Sequence, residues 1–339
     1  MDMPSVSVCI PNYNNAKYLE SCIQSTLAQT YQNTEVVLVD DCSTDNSLEI
    51  ANKYKDQIRV FFNSTNLGQP KNTNKSIECS TGKYLVILHS DDLLLPNFIE
   101  KLVPILESYP NVGIAIGERM TTDETGNFTK VAPLYKTSCI IPGEKQAKVF
   151  MMTSVLPCQV LLRRDVFLKV GRIDERYIVN LDGLMWFKCA LISDVGYIQT
   201  PVSVYRNHAE NTTAQYNQSI DLMVEYYCTL AEMFRLAKWR SYLEDFFSAA
   251  VKRAGHLTLR YIHSVFRSKN LELAKRWLAL AIVYDPDLIN NHTYKTLKYC
   301  VESDGADWFQ LYQRLIDTME PEVRQFSYDP PEDFVPYDN

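Results

Sequence analysis

Acidic side chains follow two apolar stretches of the 339-residue chain. Asp40 and Asp41 come directly after Glu35–Val39, and the tetrad His89 to Asp92 comes directly after Tyr84–Leu88. Carboxylate oxygens are the ligands that hard divalent cations such as Mg²⁺ and Mn²⁺ prefer. The sequence has no GxGxxG after its first apolar run, no GxxxxGK(S/T) and no cysteine–histidine spacing typical of zinc. Chemistry at a hard cation is therefore favoured over a dinucleotide fingerprint, a P-loop or a zinc centre.

The first third of the chain alternates β-prone runs with segments of helical periodicity. This alternation predicts an α/β fold with a doubly wound, mostly parallel, Rossmann-like sheet. Ligands of such sheets bind outside the carboxyl ends of the strands, which is where the acidic pairs fall. The predicted strands are Ser5–Ile10, Glu35–Val39, Ile58–Phe62, Tyr84–Leu88 and Val112–Ile116.

The middle of the chain has a less regular pattern. Glycine and proline interrupt the segment Thr121–Gly143, which is predicted as a loop or hairpin. Gln159–Leu162 is predicted as a strand, and Asp182–Ile192 as an amphipathic helix. Two further strands are predicted at Val195–Ile198 and Ser203–Arg206.

The last third of the chain changes in character. Apolar and aromatic residues recur at helical spacing, for example through Tyr242–Val265 and Leu271–Tyr284, and predict an all-helical extension over 219–320. The final segment, 321–339, is acidic and contains proline, so it is predicted to be a loosely ordered tail.

Composition restricts the partners of the protein. The net charge of -7 argues against a nucleic-acid backbone as the main ligand, because such ligands require a basic surface. The sequence has no apolar run long enough to span a membrane and no signal peptide pattern, so at most peripheral membrane contact is expected. Nine cysteines without a CxxC pair favour reduced thiols over disulfides. These features predict a cytoplasmic protein, with association at the inner face of the membrane left open.

The motifs of residues 4–215 resemble, in order and spacing, those of family 2 glycosyltransferases with the GT-A fold. The resemblance implies a glycosyltransferase domain over 1–218, with a nucleotide-binding half over about 1–117 and an acceptor half over about 118–218. The motifs that carry it in the first half are Val6–Asn14, Tyr18-Leu19, Ser25–Tyr31, Val39–Asp45, Asn66-Leu67-Gly68, Lys71-Asn72, Gly82-Lys83-Tyr84 and Ser90-Asp91-Asp92.

The resemblance implies a nucleotide site in the first half. Pro11 and Tyr13 would lie against the nucleobase, with the tyrosine ring available for stacking. Asp40 or Asp41 would accept a hydrogen bond from a base N–H, and the choice between them stays open, as does helix capping. Lys71, where the family commonly has arginine, would contact the base or the diphosphate.

The tetrad His89 to Asp92 stands where many family members have Asp-x-Asp-Asp. The resemblance implies that Asp91 is the metal ligand, that His89 contacts the ribose and that Ser90 lies among the donor-binding residues. Asp92 is expected to cap the following turn, with metal binding as the alternative. Mn²⁺ or Mg²⁺ would bridge the two phosphates and stabilise the leaving nucleoside diphosphate.

The acceptor half carries two further matches. Asp182 matches the aspartate of the family's Glu-Asp or Ala-Asp motif, and the resemblance implies that it is the general base. An aspartate that opens a helix can also serve as its cap. Trp186 could line the acceptor pocket, but core packing is favoured. Tyr205-Arg206-Asn207-His208 resembles the family's Tyr-Arg-x-His element. His208 would bind the metal or the diphosphate, and Arg206 could pair with phosphate.

These matches predict an inverting glycosyltransferase. It would move a hexose or N-acetylhexosamine from a nucleotide-sugar, with UDP-sugar favoured, to a hydroxyl of a glycan, a lipid-linked oligosaccharide or another surface polysaccharide precursor. Two alternatives stay open: a degenerate nucleotide-sugar-binding protein, and a scaffold that works through the helical extension. A nucleotidyltransferase is disfavoured because its phosphate loop is absent. The extension could also mediate homo-oligomer formation.

Overall fold

A computed structural model describes residues 3–124, 126–216, 218–237, 240–303, 308–316, 319 and 327–337. The chain divides into two compact units. The first unit comprises Met1–His208 and Phe326–Asn339, and the second comprises Ala209–Gln325. The second unit therefore begins at Ala209, ahead of the predicted start near residue 219.

The first unit is built on one sheet flanked by helices. Its strands are β1 (Val6–Asn12), β2 (Thr34–Asp40), β3 (Arg59–Phe62), β4 (Tyr84–Ile87), β5 (Leu93–Leu94), β6 (Val112–Thr122), β7 (Phe128–Lys130), β8 (Cys139–Ile141), β9 (Val160–Arg163), β10 (Asp194–Arg206) and β11 (Val335–Pro336). Its helices are α1 (Ala16–Leu27), α2 (Ser47–Lys53), α3 (Gln69–Glu78), α4 (Phe98–Ser108), α5 (Gly143–Met152), α6 (Arg164–Val170) and α7 (Leu181–Ala190), with a 3-10 turn at Pro157–Gln159.

The strand order is β11-β8-β10-β6-β9-β4-β1-β2-β3, and β5 and β7 pair off this path with β10 and β6. Strands β1 to β4 are mutually parallel, β10 is parallel to β6, and β9 is antiparallel to both β4 and β6. The mostly parallel α/β sheet predicted from the alternating pattern is thereby confirmed. The buried strands read as continuous apolar runs because helices cover both faces.

Close contact between β1 and the segment before β4 depends on Gly82. A Cβ atom at this position would lie 2.5 Å from Ser7 Oγ and 2.6 Å from Ser7 N. Because no side chain fits there, Gly82 lets the chain pass directly over β1 and enter β4. The Gly82-Lys83-Tyr84 motif therefore has a packing reason that the sequence alone does not display.

The two strands predicted at Val195–Ile198 and Ser203–Arg206 are one strand, β10, so that prediction was wrong. β10 pairs with β6 along its length, and its register shifts between Ile198 and Pro201 and again between Pro201 and Ser203. Proline has no N–H to give to a ladder, which makes the sequence look interrupted. The register shifts accommodate Pro201 without ending the strand, which continues to Arg206.

The predicted irregular segment Thr121–Gly143 is partly a hairpin, in which β7 turns back antiparallel onto the end of β6. Further along, β8 joins the sheet antiparallel to β10.

The predicted loose tail is a second correction. Within its described part, 327–337, β11 pairs antiparallel with β8, and Tyr328 forms a bridge to Tyr135. Tyr328 N donates to Leu134 O over 2.8 Å, and Tyr337 N donates to Ser138 O over 3.1 Å. Acidic, proline-containing composition favours disorder only where no partner is offered. Here the free edge of β8 supplies one, and a proline is acceptable in an edge strand.

The second unit is helical throughout its described part, as the periodicity predicts. Its helices are α8 (Thr212–Tyr216), α9 (Asp221–Ala237), α10 (Ser241–Arg267), α11 (Leu271–Tyr284), α12 (His292–Glu302) and α13 (Trp308–Leu315), with a 3-10 turn at Pro286–Asn290. Trp277 and Tyr284 on α11 are buried and donate to Ser219 O and Met223 O. Over the described ranges, no helix is both long and apolar enough to cross a bilayer.

Candidate functional site

The carboxyl ends of the parallel strands bring the first predicted site residues to one edge of the sheet. Asn12, at the end of β1, stands opposite Asp40, at the end of β2. β4 is paired to the other side of β1, so the tetrad that follows it emerges at the same edge. Ligand sites of open α/β sheets form at this edge. Asn12, Asp40 and the tetrad therefore lie at the same edge of the sheet.

Asp40 is fully buried and serves the turn after β2. Its carboxylate accepts hydrogen bonds from Asn12 Nδ2 at 2.7 Å, Ser43 N at 2.9 Å and Ser43 Oγ at 2.7 Å. Asn14 completes the turn in a left-handed conformation, with φ of 50°, and its N–H donates to Ser43 Oγ. Asparagine tolerates this conformation better than most residues do. Asp40 thus shapes the loop that carries Tyr13.

Asp41 is also buried, but it organises a different loop. It accepts from Leu67 N at 2.8 Å, Gly68 N at 2.9 Å and Asn63 Nδ2 at 2.7 Å. Gly68 has φ of 85°, which favours glycine. The adjacent carboxylates therefore order two different loops, Asp40 the 12–14 loop and Asp41 the 66–68 loop.

Two residues behind Asp41 escaped the sequence analysis. Asn63 donates one amide hydrogen to Asp41 and another to Asn72 Oδ1 at 3.0 Å, while its own oxygen accepts from Lys75 Nζ at 2.5 Å. The lysine that reaches this network is therefore Lys75. The predicted Lys71 is exposed one turn earlier on α3. A buried amide has no sequence signature, but the polar run 71–75 was a usable signal.

Pro11 and Tyr13 differ in what they present. Pro11 is buried within β1, which continues through Asn12 instead of ending at the proline. Tyr13 is 46% exposed and lies just beyond the strand. Its ring is therefore available for stacking, whereas Pro11 can contribute only a packed surface.

Asp91 and His208 meet, although 117 positions separate them in the chain. His208 Nε2 lies 3.0 Å from Asp91 Oδ2, and the imidazole side chain is 2% exposed. The contact follows from a short ladder in which β5 pairs antiparallel with β10, placing Leu93 opposite Val204. From that ladder, the segment before Leu93 leads back to Asp91, and the segment after Val204 leads forward to His208. Burial raises the pKa of Asp91, but the His208 hydrogen bond and nearby imidazole charges bring it below its ordinary value.

Asp92 has a structural role. It is buried, and its Oδ1 accepts a hydrogen bond from Arg206 N at 3.0 Å, which fastens the end of β10. Burial, reinforced by the charge of Asp91, raises the pKa of Asp92 well above its ordinary value. The hydrogen bond from Arg206 N favours a structural role of Asp92 over metal binding.

Arg206 lies against the tetrad. Its Nε donates to Asp91 O at 2.8 Å, its Nη2 donates to Ser21 Oγ at 3.3 Å, and its guanidinium sits 4.8 Å from the centre of the Tyr18 ring. These contacts brace the backbone at Asp91 from behind. The phosphate contact predicted for Arg206 stays a prediction.

His89 and Ser90 occupy the remaining positions of the tetrad. His89 Nε2 lies 3.5 Å from Gln69 Nε2, at the start of α3. Burial lowers the pKa of this imidazole, and the Asp91 charge offsets only part of that effect, so the ring is neutral near pH 7. Ser90 is buried, and its Oγ accepts from Asn15 Nδ2 at 2.9 Å. Ser90 therefore anchors the turn to the start of α1.

Asp182 stands in the first turn of α7, where Asn180 is the cap residue. α7 precedes β10, which begins at Asp194. Asp182 Oδ1 accepts from Gly183 N at 2.8 Å. Burial raises the pKa of Asp182 to about 6, against the lowering effect of the backbone hydrogen bonds. The described hydrogen bonds of Asp182 stay within α7 and do not join it to Asp91 or His208.

Trp186, one turn further along α7, is a core residue. It is 1% exposed, and its Nε1 donates to Val155 O at 2.9 Å. The favoured interpretation, packing and not an acceptor wall, is confirmed.

Comparison with known proteins identifies the family. The sequence profile described as "Glycosyl transferase family 2" matches residues 7–171. An "Uncharacterized glycosyltransferase" of Rickettsia typhi is 30% identical over 292 residues, which cover 82% of this chain and 85% of the relative. A second one, from Rickettsia prowazekii, is 31% identical over 66% of this chain and 69% of its own length. The chain belongs to glycosyltransferase family 2.

Solved structures agree with this assignment at the level of the fold. A fragment of S. aureus TarS, residues 1–349, superposes with a TM-score of 0.55 at 16% identity, covering 89% of this glycosyltransferase and 92% of the fragment. The mannosyltransferase PcManGT from Pyrobaculum calidifontis gives a TM-score of 0.55 at 17% identity, covering 93% and 87%. The GT-A fold expected from the motifs of this family 2 glycosyltransferase is confirmed.

The carboxylate and the imidazole of the Asp91–His208 pair fit a divalent cation whose remaining ligands come from a substrate. No group of three or more His, Cys, Asp or Glu side chains suited to a metal occurs in the described part of the chain. One carboxylate and one imidazole form the pair. Ions such as Mg²⁺ are commonly held by one or two protein ligands plus substrate phosphates and water. Two protein ligands are therefore sufficient where a diphosphate supplies others.

Proposed function

We propose that this family 2 glycosyltransferase transfers a hexose or N-acetylhexosamine from a UDP-sugar to an acceptor hydroxyl with inversion at the anomeric carbon. The acceptor would be a glycan, a lipid-linked oligosaccharide or another surface polysaccharide precursor. The observation that carries the proposal is the Asp91–His208 pair, at the sheet edge where Asp40 and Asp41 order two loops.

The donor is proposed on two grounds. TarS, which shares the fold, has been solved in complex with UDP and with UDP-GlcNAc. In this chain, Tyr13 offers an exposed ring for the base, and the buried Asp40 and Asp41 order the 12–14 and 66–68 loops. A base N–H would have to share one of these carboxylates with the loop hydrogen bonds. We propose that Lys71 and His89 complete the donor site from α3 and the tetrad. Arg206 stays a candidate phosphate contact, although its bracing of Asp91 has the direct support of geometry.

We propose Asp91 and His208 as the residues that hold the cation. PcManGT has been solved with GDP-Man and Mn²⁺. The carboxylate of Asp91 suits Mn²⁺ and Mg²⁺ alike, so either ion is proposed. When bound, the ion would supply positive charge beside the departing diphosphate. A single carboxylate then suffices, since no general acid has to protonate that leaving group.

Asp182 is proposed as the general base. As the acceptor oxygen bonds to the anomeric carbon, its proton passes to Asp182, and the bond from that carbon to the diphosphate oxygen breaks on the opposite face. A pKa of about 6 leaves Asp182 ionised at neutral pH and makes it more basic than an ordinary aspartate. The displacement is single, so configuration inverts.

Titration calorimetry with UDP tests the donor site. We expect UDP binding that requires Mn²⁺ or Mg²⁺, disappears with chelator and is weakened by Asp91→Asn. Asp165→Asn is the matched control, because Asp165 is exposed on α6 and pairs with Lys169 at the surface. The control should bind UDP as the wild type does.

Two results of this titration would count against the proposal. Binding that does not depend on metal would remove Asp91 and His208 as ligands of a cation. A failure of UDP, dTDP and GDP to bind at all would favour a degenerate or scaffold protein that works through its helical unit. Binding of GDP in preference to UDP would change the donor and leave the rest intact.

A further inference from the structure

One side of α1 contacts the tetrad His89 to Asp92 and the residues next to it. Four side chains at helical spacing, which we call the α1 stripe, face the segment from His89 to Leu94 and the end of β10. The stripe consists of Asn15, Tyr18, Cys22 and Ser25. Residues separated by three and four positions lie on one helical face, so these four form a continuous support.

Two members of the stripe contact the tetrad, and a third contacts Leu94 just after it. Asn15 donates to Ser90 Oγ at 2.9 Å, Cys22 Sγ lies 3.7 Å from His89 O, and Ser25 Oγ accepts from Leu94 N at 3.2 Å. The turn that carries Asp91 is therefore fixed on both sides of that residue.

Tyr18 is the member that reaches the other half of the site. Its ring centre lies 4.5 Å from that of His208 at a tilt of 43°, and 4.8 Å from the Arg206 guanidinium carbon. The residue is 5% exposed, and its buried hydroxyl has no hydrogen-bond partner among the described residues. An aromatic face attracts a cation and packs closely against an imidazole. The contacts thus belong to the ring and not to the hydroxyl.

We propose that Tyr18 is a positioning residue that fixes the imidazole of His208 beside Asp91 through contact with its aromatic ring. Groups that orient a metal ligand commonly affect metal affinity strongly even though they never touch the ion. Tyr18 does so here from the first helix of the chain, while His208 comes from the last strand of the acceptor half. The inference rests on the proposed function, because it takes His208 as a cation ligand.

Tyr18→Leu, Tyr18→Phe and the matched control Tyr54→Leu test this role. Tyr54 also contacts α1, where its hydroxyl accepts from Gln24 Nε2 at 3.0 Å and donates to Glu20 Oε1 at 3.2 Å, and neither residue belongs to the α1 stripe. The assay is calorimetric UDP binding over a series of Mn²⁺ concentrations, with a parallel titration in chelator. We expect Tyr18→Leu to raise the Mn²⁺ concentration needed for half-maximal binding about 10- to 100-fold. Tyr18→Phe and Tyr54→Leu should keep the wild-type requirement.

Several outcomes overturn the proposal. A folded Tyr18→Leu protein with wild-type Mn²⁺ dependence shows that the ring does not position His208. Equal loss of UDP binding with and without metal shows a general structural role, and loss in Tyr18→Phe shows that the hydroxyl matters. If Tyr18→Leu fails to fold, Tyr18→Met keeps the apolar volume without the ring and is judged by the same criteria. If the wild type itself shows no metal-dependent binding, the proposed function fails, which is distinguishable from these results.

Discussion

At the scale of single residues, the pKa of Asp182 sets the pH range in which the proposed transfer can run. Burial raises this pKa to about 6, so the base is protonated below that pH. We expect kcat/KM to fall about tenfold for each pH unit below about 6 and to level off above it. The measurement is initial rate against pH, with circular dichroism confirming that the protein stays folded. An acid limb near the ordinary aspartate value, 3.8, would remove Asp182 as the base.

Asp182→Asn separates catalysis from stability. The folded pKa lies above the unfolded one, so ionisation favours unfolding, and stability falls as pH rises from about 4 to about 6. The amide removes that cost. We therefore expect a variant that loses transfer by about 10²- to 10⁴-fold, binds UDP normally and melts no lower than the wild type at pH 7. A lower Tm together with wild-type rates would contradict both roles.

The sequence was informative about residues that carry charge and much less so about those that hold them. Motif order brought Asp91 and His208 to attention, and the structure places them 3.0 Å apart. Asn63 and Lys75 were missed because their importance comes from a buried contact with Asp41 across the loop. A buried amide is chosen by its three-dimensional neighbours, which no local spacing encodes.

At the scale of elements, periodicity predicted the long strands and helices, while the shortest strands escaped it. β5 contains only Leu93–Leu94, yet its pairing with β10 is what aligns the tetrad with His208. Two residues cannot show a period of two, so such a strand is defined only by its partner. The break at Pro201 had the opposite effect, because it made one strand look like two.

The amino ends of four neighbouring elements are joined by Glu35 on β2. Its carboxylate accepts from Ser7 on β1 at 2.5 Å, from Arg59 on β3 at 2.9 Å and from Thr81 Oγ1, just before β4, at 2.9 Å. Burial raises the pKa of Glu35, but these hydrogen bonds outweigh it and bring the pKa to about 2. A folded pKa below the unfolded 4.5 contributes stability that is present above pH 4.5 and lost between about 4.5 and 2.

Glu35→Gln should therefore lower the free energy of unfolding at pH 7 by about 2 kcal/mol, after allowance for the solvent that still reaches the side chain. The difference from the wild type should shrink as pH falls toward 2. Urea unfolding at several pH values measures it, with Glu49→Gln on the exposed side of α2 as the control. A difference that persists unchanged at pH 2 would mean that packing, and not the charge, accounts for the loss.

At the scale of the whole molecule, helical periodicity correctly predicted the helical unit, whereas composition gave the wrong prediction for the tail. Residues 327–337 belong with the glycosyltransferase unit, where Tyr328 packs 6.1 Å from the ring of Tyr135 and Tyr337 lies 6.1 Å from the ring of Tyr109. Strand addition at a sheet edge relies on main-chain hydrogen bonds, which any composition can make. The acidic, proline-containing character of the segment therefore carried no information about its partner.

Deleting the chain beyond residue 326 tests what this added strand does. It removes β11 and three main-chain hydrogen bonds to 134–138, and uncovers the edge of β8. Net losses of about 1 kcal/mol per bond, offset by the chain freed, should lower the Tm of the glycosyltransferase unit by roughly 2–8 °C. An uncovered edge strand also pairs readily with other chains, so light scattering should show concentration-dependent association. Metal-dependent UDP binding should persist below the new Tm, because β8 pairs with the start of β10, at Val195–Tyr197, and His208 follows the other end of that strand. An unchanged Tm and a monodisperse truncated protein would show that the strand adds nothing to the stability of the sheet.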